Sequence, residues 1–357
     1  MMLLCLEHFK YSCFRLELLL SHRSMSLLGC LIIVTGVLLS SWPLLPHLIL
    51  GLGVCLGTGG CVCAITGVLQ INRQFSGSSR GLAHGFSLAG NTLGGLLLPG
   101  LIALMIDQFG YTGALLILSA VLTNIIPASL FFTSDRVSHE NNNNDTDDDG
   151  RESGKKSIYS NSRLWFCIIS MASTTIGYTN FGLYLPLHLH SSLGLTKTTA
   201  ASFISVFAVG DLLGRVTGPA LSDKWSPRWS WYCAGLSGAG LAMMILSQVS
   251  NTVTVGLLTL VAGLCSGLMV GVYPALLSDE LGPEHLSQTY PLSQTLAGLL
   301  NLAGPPLLGL LASHVSTAHV MLVLGSSLIL GSLPLLISSL INLLRSSYSS
   351  VEVTESQ

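Results

Sequence analysis

Two charged residues, Asp211 and Arg215, sit inside FISVFAVGDLLGRVTGPAL, a stretch otherwise almost free of charge. Four residues apart on a helix, they share one face and lie close enough to pair. Either charge alone at the centre of a bilayer costs roughly 2.5–3.5 kcal/mol on insertion scales, so the pair neutralises itself and turns toward a protein interior. Arg215 carries a planar fork of donors matched to a carboxylate, and Asp211 is a carboxylate that can fill it. Were Asp211 to take a proton, the fork would be released to a second carboxylate. Proton and anion would then bind together, and the loaded centre would gain no charge. The competing role is a permanent ion pair that locks the helix in place.

Weaker candidates lie nearby. Gln294 and Asn301, seven apart on one helix face, could line a cavity or serve as hydrogen-bonding glue between helices. Tyr273 precedes Pro274 in a long apolar run. His188 and His190 fall at the outer end of a span and read as interfacial, while Asp279, Glu280, Glu284 and His285 read as a solvated loop. There is no phosphate-binding Gly-Lys-Ser loop, HExxH or Gly-x-Ser-x-Gly elbow, and no zinc spacing among the nine cysteines. The sequence therefore points to no enzyme, metal or cofactor.

The elements that would position these residues follow from composition. Of 357 residues, 50% are hydrophobic and only 9% charged, against roughly 25% charged in a soluble domain; mean hydropathy is +0.65. A water-facing surface cannot be built from so few charges, so the chain is an all-α integral membrane protein. Spans of about 20 apolar residues fall near 25–42, 46–70, 82–105, 113–133, 164–187, 199–221, 231–249, 253–277, 291–312 and 319–343. That is about ten transmembrane helices, four and six. Between the groups lies 134–163, containing NNNNDTDDDG, too polar to bury a core and expected to be a disordered linker. Residues 1–24 read as a leader, too charged to span, and 344–357 as a tail. With the linker inside, thirteen of the 15 Lys and Arg residues face the cytoplasm, Lys197 lies outside and Arg215 within the bilayer. Both termini are then cytoplasmic. Glycines recur four or five apart, notably Gly81, Gly85, Gly90, Gly94 and Gly263, Gly267, Gly271, which lets helices approach closely in lipid.

FSGSSRGLAHGFSLAGNTLGG (75–95) resembles the signature of the monocarboxylate transporter family, matching at Phe75, Arg80, Leu82, Ala83, Gly85, Ala89 and Gly90. FGYTGALLILSAVLTN is similar to the span that follows it there, with Tyr111-Thr112 where Trp-Arg is usual. GDLLGR resembles that family's Asp-x-x-x-Arg, and ELGPEHLSQTYPL and LAGPPLLG resemble its later loop and eleventh helix. The loop GPALSDKWSPRW is similar to the facilitator loop motif at Asp223, Lys224 and Arg228. The resemblance covers about 25–345 and implies a major facilitator fold of two six-helix halves. Set against that plan, the four early spans look like helices three to six, and the family's first-helix lysine has no counterpart here.

The resemblance implies secondary active transport by alternating access at the plasma membrane, with small monocarboxylates such as lactate or pyruvate moving with a proton. Arg215 would anchor the anion and Asp211 take the proton, with Tyr273, Gln294 and Asn301 lining the path. Arg80, Asp223, Lys224 and Arg228 would form a conformational latch. The implied partners are a small organic anion and a proton, the lipid bilayer, and a single-span glycoprotein subunit of the kind that brings family members to the surface; no nucleic acid is involved. Two alternatives stand beside this. The solute could be another organic molecule, such as an aromatic amino acid. A chain without the first two helices could also be inactive in transport and act only as a partner of full-length transporters.

Overall fold

A computed structural model describes residues 21–75, 78–132, 162–225 and 227–355. Residues 1–20 of the expected leader 1–24 and nearly all of the linker lie outside the described residues. Every element among them is helical. In lipid a backbone must satisfy its own hydrogen bonds, which the helix does without a partner strand. Among the described residues, eight helices are long and apolar enough to cross a membrane. Residues 79–130 make up a single candidate span of 52 residues, more than twice the roughly 20 that a bilayer needs. It holds two of the expected spans, and Gly110, at φ +70° and ψ 175°, breaks the helical course between them. The expected span 164–187 is crossed by a π-helical segment, Thr175–Thr179, and is not among the eight.

The chain divides into two compact units. The first comprises residues up to 76 and 94–156. Its helix α1 (His22–Leu39) is N-capped by Ser21, whose side chain accepts from the Ser24 amide. A short α2 (Leu45–Leu48) opens into a π segment, Ile49–Cys55, and then α3 (Leu56–Gln74). The α1 and α3 backbones touch: a Cβ on Gly59 would stand 2.7 Å from the Gly29 carbonyl oxygen. Helix α4 (Ser78–Leu122) contributes its later part to this unit, with α5 (Ile125–Leu130) after it. Tyr111 Oη and Thr112 Oγ1 donate to the carbonyls of Ser40 and Ser41, both at 3.1 Å. They satisfy backbone acceptors just past the end of α1 that the helix cannot satisfy itself.

The second unit comprises residues 77–93 and 157 onward. It takes the first turns of α4, with α6 (Ser162–Thr174), the π segment, α7 (Asn180–Leu193), α8 (Lys197–Trp225), α9 (Arg228–Leu246), α10 (Thr252–Leu281), α11 (Leu286–His314) and α12 (Thr317–Glu355). Gly194, at φ +66°, closes α7 in the left-handed conformation that glycine adopts without strain. Helix α12 continues through Glu355, beyond the 343 boundary read from hydropathy. Helix α10 packs most extensively on α8 and next on α9, and α9 packs on α12. Tyr232, Leu236, Met243 and Leu246 of α9 are fully buried, as are Val320, Met321, Leu324 and Leu328 of α12.

Candidate functional site

Asp211 and Arg215 lie near the middle of the 29-residue α8 and are almost wholly buried, at 1% and 2% exposure. Arg215 Nε donates to Asp211 Oδ2 at 2.8 Å. The same Oδ2 accepts from Thr92 Oγ1 at 2.6 Å and from the Tyr178 hydroxyl at 3.4 Å. The rest of the guanidinium is also occupied. Nη2 donates to the Tyr178 hydroxyl at 2.8 Å and Nη1 to the Leu88 carbonyl at 3.1 Å. Asp211 Oδ1 is buried and has no hydrogen-bond donor among the described residues. One carboxylate oxygen is therefore fully engaged and the other bare. Such an arrangement holds a charge pair away from water and can still accept a proton at a defined atom.

Glycines bring these groups together. Helix α8 carries Gly210, Gly214 and Gly218, and α10 carries Gly263, Gly267 and Gly271; a Cβ on Gly271 would stand 3.0 Å from the Arg215 carbonyl oxygen. One on Gly267 would overlap the Asp211 carbonyl oxygen, and one on Gly214 the carbonyl of Leu264. Two interleaved small-residue repeats thus place the backbones in direct contact, where lipid supplies no hydrophobic drive and close packing must. Asp211 and Arg215 each follow a seam glycine by one residue, so their side chains leave α8 beside the seam. On a second side of α8, Gly85 of α4 lies so close to the Arg215 carbonyl that any side chain would overlap it. That approach brings Leu88 and Thr92, one and two turns along α4, to the pair.

A cavity of about 50 Å³ adjoins this centre through Leu88. Tyr273 and Gln294, both expected at the site, line it along with Thr174, Tyr232 and Tyr290. The Tyr232 and Tyr273 rings lie 5.7 Å apart, and the Tyr232 hydroxyl bonds Thr174 Oγ1 at 3.0 Å. Gln294 Nε2 donates to the Tyr290 hydroxyl at 2.9 Å. The Tyr273 hydroxyl is buried beside Ser293 without a hydrogen bond of normal geometry. Asn301 is not gathered with them. It is exposed and absent from the cavity wall, because seven residues carry it about 10 Å along α11.

The expected latch residues meet at the far end of α8. Arg228 binds Asp223 Oδ1 through Nη2 at 2.7 Å and through Nε at 3.2 Å. Its Nη1 binds Asp279 of α10. Arg80 Nη1 donates to Ser278 Oγ at 2.9 Å. Gly81 admits the Asp223 carboxylate, whose Oδ1 would stand 2.7 Å from any Cβ there. Lys224 is exposed to one side. Sequence reading missed Asp279, taken as a solvated loop residue, and His84. The latter is fully buried, with neither ring nitrogen hydrogen-bonded among the described residues, in electrostatic reach of Arg80 and Arg228. Among the described residues no group of three or more His, Cys, Asp or Glu is placed to hold a metal ion.

Residues 16–305 match the family described as Major Facilitator Superfamily. The chain belongs to the major facilitator superfamily. It is thus a multi-pass membrane protein of a family of secondary transporters, not an enzyme. It is 26% identical over 352 residues to human "Monocarboxylate transporter 12", covering 89% of this chain and 68% of that one. It is 29% identical over 318 residues to mouse "Monocarboxylate transporter 11", covering 86% and 70%. These relatives support the family resemblance read from the motifs. Solved facilitator structures share its fold. The human organic anion transporter MFSD10 (TETRAN) superposes with a TM-score of 0.69 at 12% identity, over 91% of this chain and 79% of that one. The E. coli fucose:proton symporter FucP gives 0.68 at 13% identity, over 90% and 86%.

Two of the facilitator's central groups lay beyond sequence reading. Thr92 and Tyr178 complete the pair's hydrogen bonding from two other segments. Tyr178 carries a faint signal, since TIGYTN interrupts an apolar span; Thr92, one hydroxyl in a small-residue run, carries none.

Proposed function

We propose that this facilitator is a proton-linked symporter of small monocarboxylates, working by alternating access in the plasma membrane with both termini in the cytoplasm. The observation that carries this reading is the Asp211–Arg215 pair, held at 2.8 Å and nearly solvent-free in a helix of spanning length. In the empty state Asp211 occupies the guanidinium. A proton on Asp211 removes that charge, and Arg215 then takes the substrate carboxylate in its place. Both the empty and the loaded centre are neutral, so neither carries a bare charge across the low-dielectric interior. The names of the relatives support the solute class, and the cavity beside Leu88 supplies the neutral contacts a small organic acid needs. Arg80, Asp223 and Arg228 form the latch that closes one side during the cycle. A single-span glycoprotein serves as the accessory partner.

A second reading keeps transport and changes the solute. Tyr232, Tyr273 and Tyr290 in one cavity wall favour an aromatic solute such as an aromatic amino acid. The test is uptake of labelled lactate, pyruvate and tyrosine at an external pH of about 6 and about 8, with surface amount measured alongside. Lactate or pyruvate uptake that rises at the lower pH and disappears in Arg215→Ala is the expected result. Uptake of tyrosine alone would establish the second reading, and carboxylate uptake indifferent to pH would remove the proton.

A further inference from the structure

We infer that Thr92 and Tyr178 are positioning residues that set when Asp211 takes its proton, and that the proton enters on Oδ1. This rests on the proposal that Asp211 is the proton-accepting group. The observation is an asymmetry within one carboxylate. Oδ2 receives donors from Arg215, Thr92 and Tyr178, three segments in all, while Oδ1 receives none among the described residues and is buried. A carboxylate oxygen holding three donors has its lone pairs committed, so an arriving proton binds the other oxygen. Each donor to the ionised carboxylate also favours the ionised form and sets how acidic the surroundings must be before protonation.

The two residues act differently. Thr92 makes the shortest contact with Asp211, 2.6 Å, and comes from α4, away from the ion pair's own helix. Removing its hydroxyl takes a donor from Asp211 and leaves every Arg215 bond in place. Tyr178 touches both partners. It accepts from Arg215 Nη2 at 2.8 Å and donates to Asp211 Oδ2 at 3.4 Å. When Asp211 is protonated, Tyr178 still holds one end of the guanidinium, and the Leu88 carbonyl holds the other. Arg215 is thereby kept in place with Nε released, which suits a fork that must change partners without losing its aim. The charged and titratable groups facing Asp211 are Arg215 on its own helix and Tyr178 on the π segment. Helix α4 presents Thr92, and α10 presents glycine backbone. Among the described residues, no hydrogen bond or ion pair joins it to a second carboxylate or a histidine.

The test reads Asp211 itself. The purified full chain in lipid is titrated by infrared difference spectroscopy, and the protonated-carboxyl band lost in Asp211→Asn is assigned to Asp211. Thr92→Val keeps shape and removes the hydroxyl; Thr92→Ser restores it. The expected result is a band midpoint in Thr92→Val about one pH unit above wild type, a roughly tenfold gain in proton affinity, as one hydrogen bond to a charged group carries. Thr92→Ser should lie near wild type. Tyr178→Phe should shift the midpoint in the same direction by less, because its contact is longer. Equal midpoints in wild type and Thr92→Val would overturn the inference, as would the absence of any titrating band that depends on Asp211. Transport enters as a separate readout. Wild-type uptake indifferent to pH, alongside a band that moves with Thr92, would refute proton-linked symport and leave the role of Thr92 standing.

Discussion

The second unit holds two arginine–aspartate clusters built on opposite plans. At the centre, Arg215 and Asp211 come from one helix, one turn apart, at 2% and 1% exposure. At the end of α8, Arg228 of α9 joins Asp223 of α8 and Asp279 of α10, at 12%, 4% and 42% exposure. The first pair cannot be separated by moving helices, because both partners ride on the same one. Only a change of charge or a competing ligand unmakes it. The second joins three helices and breaks whenever they part, whatever the protonation state. One is a chemical switch and the other a mechanical fastener.

The largest expected effect lies at the centre. Arg215→Ala strands a buried carboxylate, which costs about 3–5 kcal/mol, and should abolish uptake and lower the thermal midpoint. Arg215→Lys should recover stability in part and uptake hardly at all, since a point charge does not replace the fork. Uptake beside thermal unfolding in detergent separates the two losses. If Lys restored transport, the centre would need only a positive charge. Next comes the seam. Gly267→Leu drives a side chain into the Asp211 backbone and should leave little monodisperse protein on size-exclusion chromatography. Gly298→Leu, where a Cβ meets nothing within 4 Å, should behave as wild type and serves as the control.

The end cluster should respond more gently. Arg228→Ala should slow uptake several-fold without abolishing it, and Asp279→Asn, at a half-exposed partner, should alter stability by about 1 kcal/mol or less. Salt should divide the two clusters. Raising ionic strength should reproduce part of the Arg228→Ala effect in wild type while leaving the melting contribution of Arg215 unchanged, since screening reaches exposed pairs and hardly touches buried ones. Uptake and unfolding at about 0.05 M and about 0.5 M salt would show it, and equal salt sensitivity at both clusters would erase the distinction.

What was legible in the sequence were features that lipid forces into the open. Long apolar runs had to be helices, and two charges inside one run had to be paired and buried. The seam was half legible. Gly263, Gly267 and Gly271 stood out as a repeat, while the matching Gly210, Gly214 and Gly218 were masked by the charges threaded among them. Thr92 was illegible and Tyr178 only faintly legible, because their roles depend on which helix approaches α8, and Gly85 decides that only in three dimensions. Asn301 shows the converse. Helical spacing put it on the face of Gln294, but spacing gives direction and not depth, and it lies exposed beyond the cavity. The breaks at Gly110 and at Thr175–Thr179 were invisible to hydropathy, which measures apolarity and not backbone course.

The glycine seam also limits where anything can approach the centre. Along one side of α8, Gly210, Gly214 and Gly218 lie so close to α10 that an added Cβ would overlap or crowd its atoms. That flank is blind. A proton or an anion bound for Asp211 and Arg215 must arrive from the quarters held by Tyr178, Thr92 and Leu88. Traffic to the pair is thus steered less by the groups that attract it than by a wall made of residues with nothing to offer.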